Sequence, residues 1–499
     1  MVQGTSSHAG KSVLTAALCR IFAQEGYSVA PFKAQNMSLN SYATPDGGEI
    51  GRSQAVQAAA AMVAPRVEMN PVLLKPEADS RSQVVVLGRP EMTLSARSYY
   101  DRKAALWDVV TTSLDTLRRD YDVVVMEGAG SPAEINLRQF DIVNMSIALY
   151  ANSPVLLVAD IERGGVFAQL VGTMALLEPE ERSLVKALVV NKFRGDMSLF
   201  DPGREQLREL TGVPVAGVLP HFFDIHVPEE DTLGLPEGEA DSGGEALDIA
   251  VMRLPHLANF DDFDPLRQER GVRLRFVERD EQFGAPDLII IPGSKTTMAD
   301  LDWLKEQGLA GRIVAAREAG TPVVGICAGY QMLGRELLDP DGIESPRPSA
   351  SGLGLLPVTT TFLGDKATHQ VSGRVVEGLG ILGGSDGAPV KAYEIHMGVT
   401  KGEASASPFM IETRSGRDVS LPDGALDEEG LTMGAYLHGL FHNRELRRSM
   451  LSWLASRKGV SLPESGNEID QSAEYDKLAA FVREHLDMEL IHRVAGLGG

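Results

Sequence analysis

Residues 4–12 are Gly4-Thr5-Ser6-Ser7-His8-Ala9-Gly10-Lys11-Ser12, and they precede a stretch of helical periodicity over residues 13–24. A glycine-rich loop that leads into a helix presents backbone N–H groups and the positive end of the helix dipole to phosphate. Five residues separate Gly4 from Gly10, where the standard phosphate-binding loop has four. The alternative is a Gly/Ser turn in which a serine caps the helix. It would require that Gly-Lys-Ser stands at the start of the helix by coincidence. The segment therefore predicts a variant P-loop in which Gly4, Thr5, Gly10, Lys11 and Ser12 bind a nucleotide.

Beyond this loop, apolar runs rich in Val, Ile and Leu alternate with longer stretches of helical period. Continuously apolar strands separated by helices are typical of parallel sheets that are covered on both faces. The pattern predicts an α/β protein with two doubly wound domains. The six most evident strands span residues 122–126, 154–159, 185–190, 248–252, 287–291 and 322–326.

The domain boundary is predicted in a stretch over residues 228–245 that concentrates Pro, Gly and acidic residues and has no apolar period. We assign residues 1–230 to the P-loop domain, residues 231–247 to a linker and residues 248–445 to the second domain. A chain of 499 residues is long enough for two cores. The last part, residues 446–499, has apolar residues at three- and four-residue spacing, which predicts a helical extension. We expect this extension to pack on the second domain.

The composition excludes several classes of partner. With 69 Asp and Glu against 47 Lys and Arg, the formal net charge is −22, so the chain lacks the basic surface that nucleic acids and anionic membranes select. No apolar run reaches the roughly 18 to 20 residues of a membrane span, and no secretory signal precedes the P-loop. Two cysteines, Cys19 and Cys327, are too few for a disulfide framework. We therefore expect a cytoplasmic protein with no nucleic-acid or membrane partner.

Carboxylates follow two of the predicted strands of the first domain. Glu127 begins a Glu-Gly-Ala-Gly segment after one strand, and Asp160 ends another. Ligands bind at the carboxyl ends of parallel strands, so Ser12, Glu127 and Asp160 are candidate ligands of Mg²⁺. A simple turn-forming role is an equal alternative for either carboxylate alone. The pair Asn191-Lys192 resembles the base-reading Asn-Lys of some nucleotide enzymes and is a further candidate for nucleotide binding.

The second domain contains a turn typical of a catalytic nucleophile. Residues 321–334 are Thr-Pro-Val-Val-Gly-Ile-Cys-Ala-Gly-Tyr-Gln-Met-Leu-Gly, a buried strand that ends at Cys327 and is followed by a helix. Small flanking residues permit the sharp turn, and the helix N-terminus favours a thiolate. Cys327 is therefore predicted to be the nucleophile. Cys19, on the helix after the P-loop, is expected in the core.

Two further segments fit the same chemistry. A Pro-Gly-Ser-Lys turn follows the strand over residues 287–291, and its Gly293 and Ser294 could form an oxyanion hole together with the N–H of Ala328. His438 is the candidate base, because a thiol needs a nearby imidazole to ionise at neutral pH. A buried cysteine or a lone histidine is usually structural, but their combination with this turn favours catalysis.

The elbow, the Pro-Gly-Ser-Lys turn and the Tyr-Leu-His-Gly-Leu-Phe segment around His438 resemble the class I glutamine amidotransferase domain, which has a flavodoxin-like fold. The variant P-loop with Glu-Gly-Ala-Gly is similar to the dethiobiotin synthetase type. The fusion of the two in this order resembles the cobyric acid synthase family. Segments typical of that family occupy residues 32–41, 48–54, 69–76, 159–167, 191–196, 259–266 and 393–398.

The resemblance implies a ligase of cobalamin biosynthesis. Glutamine would be bound at Gly293, Ser294 and Ala328 and hydrolysed at Cys327 through a glutamyl thioester, and ammonia would pass internally to the first domain. There ATP and Mg²⁺ would activate carboxylates b, d, e and g of adenosylcobyrinic acid a,c-diamide for amide formation. Candidate corrinoid contacts, each with a loop-structuring role as an equal alternative, are Gln35, Asn36, Asn40, Arg52, Gln54, Lys75 and Arg163.

The sequence departs from the family patterns in two places. A class I triad usually has Glu two residues after the His, but Leu440 stands there, which leaves a Cys/His dyad. Glu394 or another carboxylate is the candidate that orients His438. Only three residues precede Gly4, so we expect either a short first strand or a natural start further upstream, with weaker anchoring of the loop.

Two alternative functions are open at this level. One is an enzyme of the same class with another acid substrate, such as cobyrinic acid itself or a cell-wall lipid carboxylate. The other is a regulatory P-loop protein of the partition-ATPase kind fused to a degenerate amidotransferase domain, against which the intact Cys327 and His438 argue. The oligomeric state is also open, including a homo-oligomer.

Overall fold

The structure is a computed structural model that describes residues 1–78, 81–222, 224–228, 247–403, 406–463 and 470–497, without the side chains of residues 78 and 92–104. The predicted linker lies outside the described residues except for residue 247, so its bounds stay a prediction. The helices and strands of the first 228 residues are β1 Val2–Gly4, α1 Lys11–Gln24, β2 Val29–Phe32, β3 Gln35–Met37, β4 Ser41–Ala43, β5 Glu49–Gly51, α2 Arg52–Ala60, β6 Val72–Ala78, β7 Arg81–Val86, β8 Arg89–Ser95, α3 Ala96–Asp120, β9 Val123–Met126, α4 Met145–Ala151, β10 Val155–Asp160, α5 Val166–Leu176, α6 Pro179–Leu184, β11 Val185–Phe193, α7 Asp201–Thr211 and β12 Val215–Pro220.

A sheet of parallel strands forms the centre of the first domain. Strand β1 pairs with β10, β10 with β11 and β11 with β12. On the other side, a bridge between Val2 and Glu127 joins β1 to the end of β9, which pairs with β2. All six residues of β10 are buried, as expected for a strand that is covered on both faces. The strands predicted at residues 122–126, 154–159 and 185–190 are confirmed as β9, β10 and β11.

The remaining elements belong to the second domain and the C-terminal extension. They are β13 Leu247–Met252, α8 Asp264–Arg267, β14 Val272–Val277, β15 Leu288–Ile291, α9 Thr297–Glu306, α10 Leu309–Glu318, β16 Val323–Ile326, α11 Ala328–Leu333, β17 Glu336–Leu338, β18 Ser349–Ser351, β19 Val358–Val375, β20 Pro389–Gly402, β21 Phe409–Arg414, β22 Arg417–Asp423, β23 Ala425–Leu426, β24 Thr432–Ala435, α12 Arg444–Lys458, α13 Gln471–His485 and α14 Met488–Ala495.

The second domain is built on another parallel sheet. Its strand order is β14-β13-β15-β16-β24-β23, and only the edge strand β23 is antiparallel. Neighbouring residues of one strand face opposite layers: Ile290 packs in the cluster that includes Leu454 of α12, and Ile289 packs in the cluster that includes Leu301 of α9. The two-domain doubly wound fold is therefore confirmed, with β13, β15 and β16 at the predicted places.

A second, largely antiparallel sheet over residues 336–423 was not predicted. Its longest strand, β19, has 18 residues and pairs antiparallel with β20 and β21. Buried and more exposed residues are interspersed along β19, since only part of its surface is covered. Strands of this kind lack the continuous apolar run that identified the parallel strands.

The C-terminal extension differs from the expectation. Helix α12 packs on the second domain, as predicted. Helices α13 and α14 instead complete the core of the first domain, where Leu478, Val482 and Ile491 are buried with residues of α1. Arg20 of α1 also pairs with Asp476 of α13 at 2.7 Å. The periodicity of the extension identified its apolar faces. It did not identify the surface they cover, because α1 lies more than 400 residues away in the sequence.

The two domains contact each other through the hairpin of β4 and β5. Ala43 of this hairpin is buried in a small cluster with Tyr393 and Ile395 of β20. Lys366 of β19 pairs with Glu49 of β5 at 2.5 Å, and both side chains are buried. Residues of the first domain therefore lie directly against the strands that border the predicted nucleophile.

Candidate active sites of the two domains

The P-loop is held from two neighbouring strands, β10 and β11. Gly10 has a φ of 97°, and a Cβ at this position would lie 2.0 Å from Nδ2 of Asn191. The Asn191 amide donates to the carbonyl of Ala9 at 2.9 Å, and the N–H of Thr5 donates to the carbonyl of Val158 at 2.9 Å. Asn191, predicted to read a base, thus supports the loop, and a base contact by this residue stays a prediction.

The lysine of the P-loop is oriented by backbone carbonyls. Lys11 Nζ donates to the carbonyl of Ser6 at 2.8 Å and to that of Gly130 at 3.0 Å. A Cβ on Gly4 would lie 3.0 Å from Cδ of Lys11, so the glycine leaves room for the lysine side chain. The ammonium group is therefore fixed between the P-loop and the loop that follows β9.

Glu127 is the centre of a buried polar cluster beside this lysine. Its Oε1 accepts from Ser12 Oγ at 2.8 Å and pairs with Lys33 Nζ at 3.0 Å, and its Oε2 accepts from Gln57 Nε2 at 2.5 Å. Burial acts to raise the pKa of Glu127, but Lys33 and the hydrogen bonds outweigh it and lower the pKa. The carboxylate is therefore ionised and fixed next to the hydroxyl of Ser12.

The candidate metal ligands are only partly brought together. Ser12 and Glu127 line the same cavity, whereas Asp160 pairs with Lys192 at 3.0 Å and accepts from the N–H of Glu162. Among the described residues, no group of three or more His, Cys, Asp or Glu could hold a metal ion. A hydroxyl and a carboxylate nevertheless fit Mg²⁺, which is usually held by one or two carboxylates together with water and phosphate oxygens.

A cavity of about 740 Å³ adjoins the P-loop and is lined by Lys11, Ser12, Lys33 and Lys192. Of the candidate corrinoid contacts, Gln35, Asn36 and Arg163 line it. The others do not, and they have partners elsewhere: Asn40 and Arg52 contact the second domain, Gln54 bonds to Asn36, and Lys75 pairs with Glu49.

Cys327 lies at the tip of a strained turn between β16 and α11. Its φ is 53° and its ψ is −108°, and its N–H donates to the carbonyl of Ala435 at 2.8 Å. A Cβ on Gly329 would lie 1.9 Å from the carbonyl oxygen of Ile291. Only a glycine permits this approach of helix and strand, which confirms the predicted elbow geometry.

A carboxylate from another segment orients His438. The imidazole Nδ1 lies 2.7 Å from Oδ2 of Asp262, and both side chains are 2% exposed. Oδ1 of Asp262 accepts from the N–H of Gly439 at 2.8 Å. Burial lowers the pKa of His438, but the charge of Asp262 and the interactions with Asp262 and Cys327 raise it to about 10. The three groups form a Cys–His–Asp constellation.

Glu394 therefore does not orient His438, and the other alternative expected from the sequence, another carboxylate, applies with Asp262. Glu394 Oε2 accepts from Arg414 Nε at 2.8 Å, which turns the carboxylate towards β21. Asp262 lies 176 residues before His438 in the sequence, in a short turn after β13. No spacing rule links the two, but the acidic Asn-Phe-Asp-Asp-Phe-Asp segment that contains Asp262 was a signal that could have been used.

The other predicted residues of this site do come together. Gly293, Ser294, Cys327, Ala328 and His438 all line one cavity of about 80 Å³. A Cβ on Gly293 would lie 2.9 Å from Cε1 of His438, so this position keeps space beside the imidazole. The first domain also lines this cavity, through Lys75, Glu77 and Gln83.

Comparison with known proteins shows which families the two parts of the chain match. Residues 1–233 match the CobQ/CobB/MinD/ParA nucleotide binding domain, and residues 248–446 match the CobB/CobQ-like glutamine amidotransferase domain. The cobyric acid synthase of Sorangium cellulosum is 52% identical over 100% of this chain and 98% of its own length, and that of Dehalococcoides mccartyi strain CBDB1 is 49% identical over 100% and 99%. This chain belongs to the cobyric acid synthase family.

Membership of the cobyric acid synthase family makes the protein a glutamine-hydrolysing, amide-forming ligase of cobalamin biosynthesis. Among solved structures, PurLQS from Thermotoga maritima aligns with 42% of this chain and 99% of its own, at 19% identity and a TM-score of 0.33. None of the described helices is long and apolar enough to cross a membrane.

Proposed function

We propose that this cobyric acid synthase family member uses ATP and glutamine to amidate carboxylates b, d, e and g of adenosylcobyrinic acid a,c-diamide, giving adenosylcobyric acid. The observation that carries the proposal is the Cys327–His438–Asp262 constellation in the same chain as a P-loop site. One domain can release ammonia from an amide, and the other can activate a carboxylate. The full-length likeness to cobyric acid synthases supports the corrinoid as the acid substrate.

In the second domain, the Cys327 thiolate attacks the side-chain carbonyl carbon of glutamine. The N–H groups of Gly293, Ser294 and Ala328, which line the same cavity as Cys327, would stabilise the oxyanion. His438, held as the imidazolium by Asp262 and the thiolate, gives its proton to the departing ammonia and leaves a glutamyl thioester. His438 then takes a proton from water, which attacks the thioester and releases glutamate and Cys327.

In the first domain, Lys11 and the backbone N–H groups of the P-loop bind the phosphates of ATP. Phosphoryl transfer to a corrinoid carboxylate gives an acyl phosphate, and ammonia displaces the phosphate to form the amide. Ser12 and Glu127 would hold Mg²⁺, which neutralises phosphate charge when it is bound. The cavity of about 740 Å³ beside the P-loop supports a large second substrate, with Gln35, Asn36 and Arg163 as its polar contacts.

Product mass spectrometry tests this function. The a,c-diamide, ATP and glutamine are incubated with the wild type, and we expect four successive exchanges of a carboxylic acid for a carboxamide. Cys327→Ser serves as the matched variant, which should lose glutamine use but retain synthesis with added ammonium. An unchanged substrate mass with either nitrogen donor would refute the assignment of the corrinoid.

A further inference from the structure

A short turn after β13 contacts both ring nitrogens of the catalytic imidazole. Asn259 Nδ2 lies 3.4 Å from Nε2 of His438, and Asp262 Oδ2 lies 2.7 Å from Nδ1. Asn259 has a left-handed backbone, with a φ of 54°, and all four residues of the following turn, Phe260–Phe263, are buried. The position of this turn therefore sets the position of the imidazole.

The first domain holds this turn at three consecutive residues. The N–H of Ser41 donates to Asn259 Oδ1 at 2.9 Å, and the N–H of Phe260 donates to Asn40 Oδ1 at 3.3 Å. Arg52 pairs with the carboxylate of residue 261 at 2.7 Å. All three contacts cross the domain boundary.

The contact with Ser41 also fixes the orientation of the Asn259 amide. A backbone N–H can only donate, so the oxygen of the Asn259 amide must face Ser41 and the NH₂ group must face His438. In the neutral imidazole that remains once His438 has given its proton to ammonia, Nε2 can then accept a hydrogen bond from Asn259 while Nδ1 donates to Asp262. This tautomer leaves Nε2 able to take a proton from the water that attacks the thioester.

The ion pair of Arg52 is well placed to keep the turn docked. The side chains of Arg52 and Asp261 are 15% and 4% exposed. The guanidinium also lies 5.2 Å from the ring centre of Tyr42, and that ring contacts Tyr393, which stacks on His438 at 5.1 Å. Removing the guanidinium would leave a buried carboxylate without its cation, a costly arrangement that favours displacement of the turn.

We infer that residues 40–52 of the first domain are a positioning element of the glutaminase site: Asn40, Ser41 and Arg52 hold residues 259–262, and thereby the imidazole of His438, in the reactive arrangement. Glutamine hydrolysis consequently depends on the docked first domain. The inference rests on the proposed glutaminase role of Cys327 and His438. It also assigns Asn40 and Arg52 a role different from the corrinoid contact expected from the sequence.

The test compares Asn40→Ala and Arg52→Met with the wild type in the intact chain. Glutamine hydrolysis, measured as glutamate release, should show a kcat lowered about ten- to a hundred-fold, the cost of a misplaced catalytic group. The KM for glutamine should change by less than about threefold, because transition-state and not ground-state contacts are lost. Synthesis with ammonium as nitrogen donor should stay at the wild-type rate.

Two further variants control the experiment. Arg52→Lys retains the cation and should recover most of the lost kcat. Arg66→Met removes another first-domain arginine, paired with Glu68 and Asp120 at the surface, and should leave glutamine hydrolysis unchanged. Thermal unfolding of each variant identifies any that fail to fold. If Arg52→Met fails to fold, Asn40→Ala, which removes no charge, decides.

An unchanged kcat in both Asn40→Ala and Arg52→Met would overturn the inference. An equal loss of ammonium-dependent synthesis would also overturn it and would return these residues to the corrinoid site. Failure of the proposed function is distinguishable, because it would appear as absent corrinoid amidation by the wild type while glutamine hydrolysis remains measurable.

Discussion

Replacing Asp262 by Asn tests the least expected member of the catalytic constellation. The N–H of Gly439 donates to Oδ1 of Asp262, so the Asn carbonyl would stay at that position. The Asn NH₂ group would then face Nδ1 of His438, which must accept a hydrogen bond where it now donates one. The imidazole proton moves to Nε2, and Nε2 can no longer take the proton of Cys327.

The size of the effect follows from this geometry. The lost interaction is a charge-assisted hydrogen bond of 2.7 Å between two side chains that are 2% exposed, worth about 1.5–3 kcal/mol by itself. The wrong tautomer adds to this loss, and the comparable Asp-to-Asn change in a serine protease triad lowers kcat about 10⁴-fold. We therefore expect a loss of about 10³- to 10⁴-fold in kcat, or about 4–5.5 kcal/mol.

The assay is glutamate release from glutamine, with ammonium-dependent synthesis as a check that the first domain is intact. Glu394→Gln is the matched control, since Glu394 was one candidate for orienting His438 in the sequence and pairs with Arg414 instead. We expect this control to remain within about threefold of the wild type. An Asp262→Asn enzyme that hydrolyses glutamine at more than a tenth of the wild-type rate would refute the assignment of Asp262.

Three further predictions concern single positions. Lys11→Ala should abolish synthesis with either nitrogen donor, because phosphate charge is no longer neutralised; ammonium-dependent product formation would disprove this. In Gly293→Ala the new Cβ would lie 2.9 Å from Cε1 of His438 and displace the imidazole. The kcat of glutamine hydrolysis should therefore fall more than tenfold, roughly the cost of a displaced base. A wild-type kcat would contradict this prediction. Burial raises the pKa of Asp423 from 3.8 to about 7. Between these two pKa values the folded state holds the proton that the unfolded state has lost, so the free energy of unfolding falls as the pH rises. The difference in Tm between Asp423→Asn and the wild type should therefore shift in favour of the variant from pH 5 to pH 8. An equal difference in Tm at the two pH values would refute this.

The parallel sheets were predictable because each strand is a continuous apolar run between helices. Strand β10 is buried along its whole length, and its sequence pattern has no other good interpretation. Strand β19 gave no such signal, since its few apolar residues are separated by runs of polar ones and part of its surface is exposed. Helix α13 shows the same limit differently: its apolar face was evident, but periodicity does not identify which domain covers that face.

The local geometry of the candidate catalytic groups was predictable to the extent that they lie in local motifs. Cys327 belongs to an elbow whose glycines are required by backbone contacts, and Lys11 belongs to a loop that leads into a helix. Asp262 could not be derived in this way, because its relation to His438 exists only after the turn following β13 is folded against β24 and its neighbours. The supporting role of Asn191 likewise depends on a contact between β11 and the P-loop.

The return of α13 to the first domain affects how this chain must be made. Leu478 and Val482 cover the apolar surface of α1, and they are synthesised only after the whole second domain. Part of the core of the first 228 residues therefore stays uncovered until residues 470–497 have been made. For the same reason, scission between residues 228 and 247 would not yield two autonomous halves, and a separately produced first domain would need residues 470–497 supplied as a companion peptide.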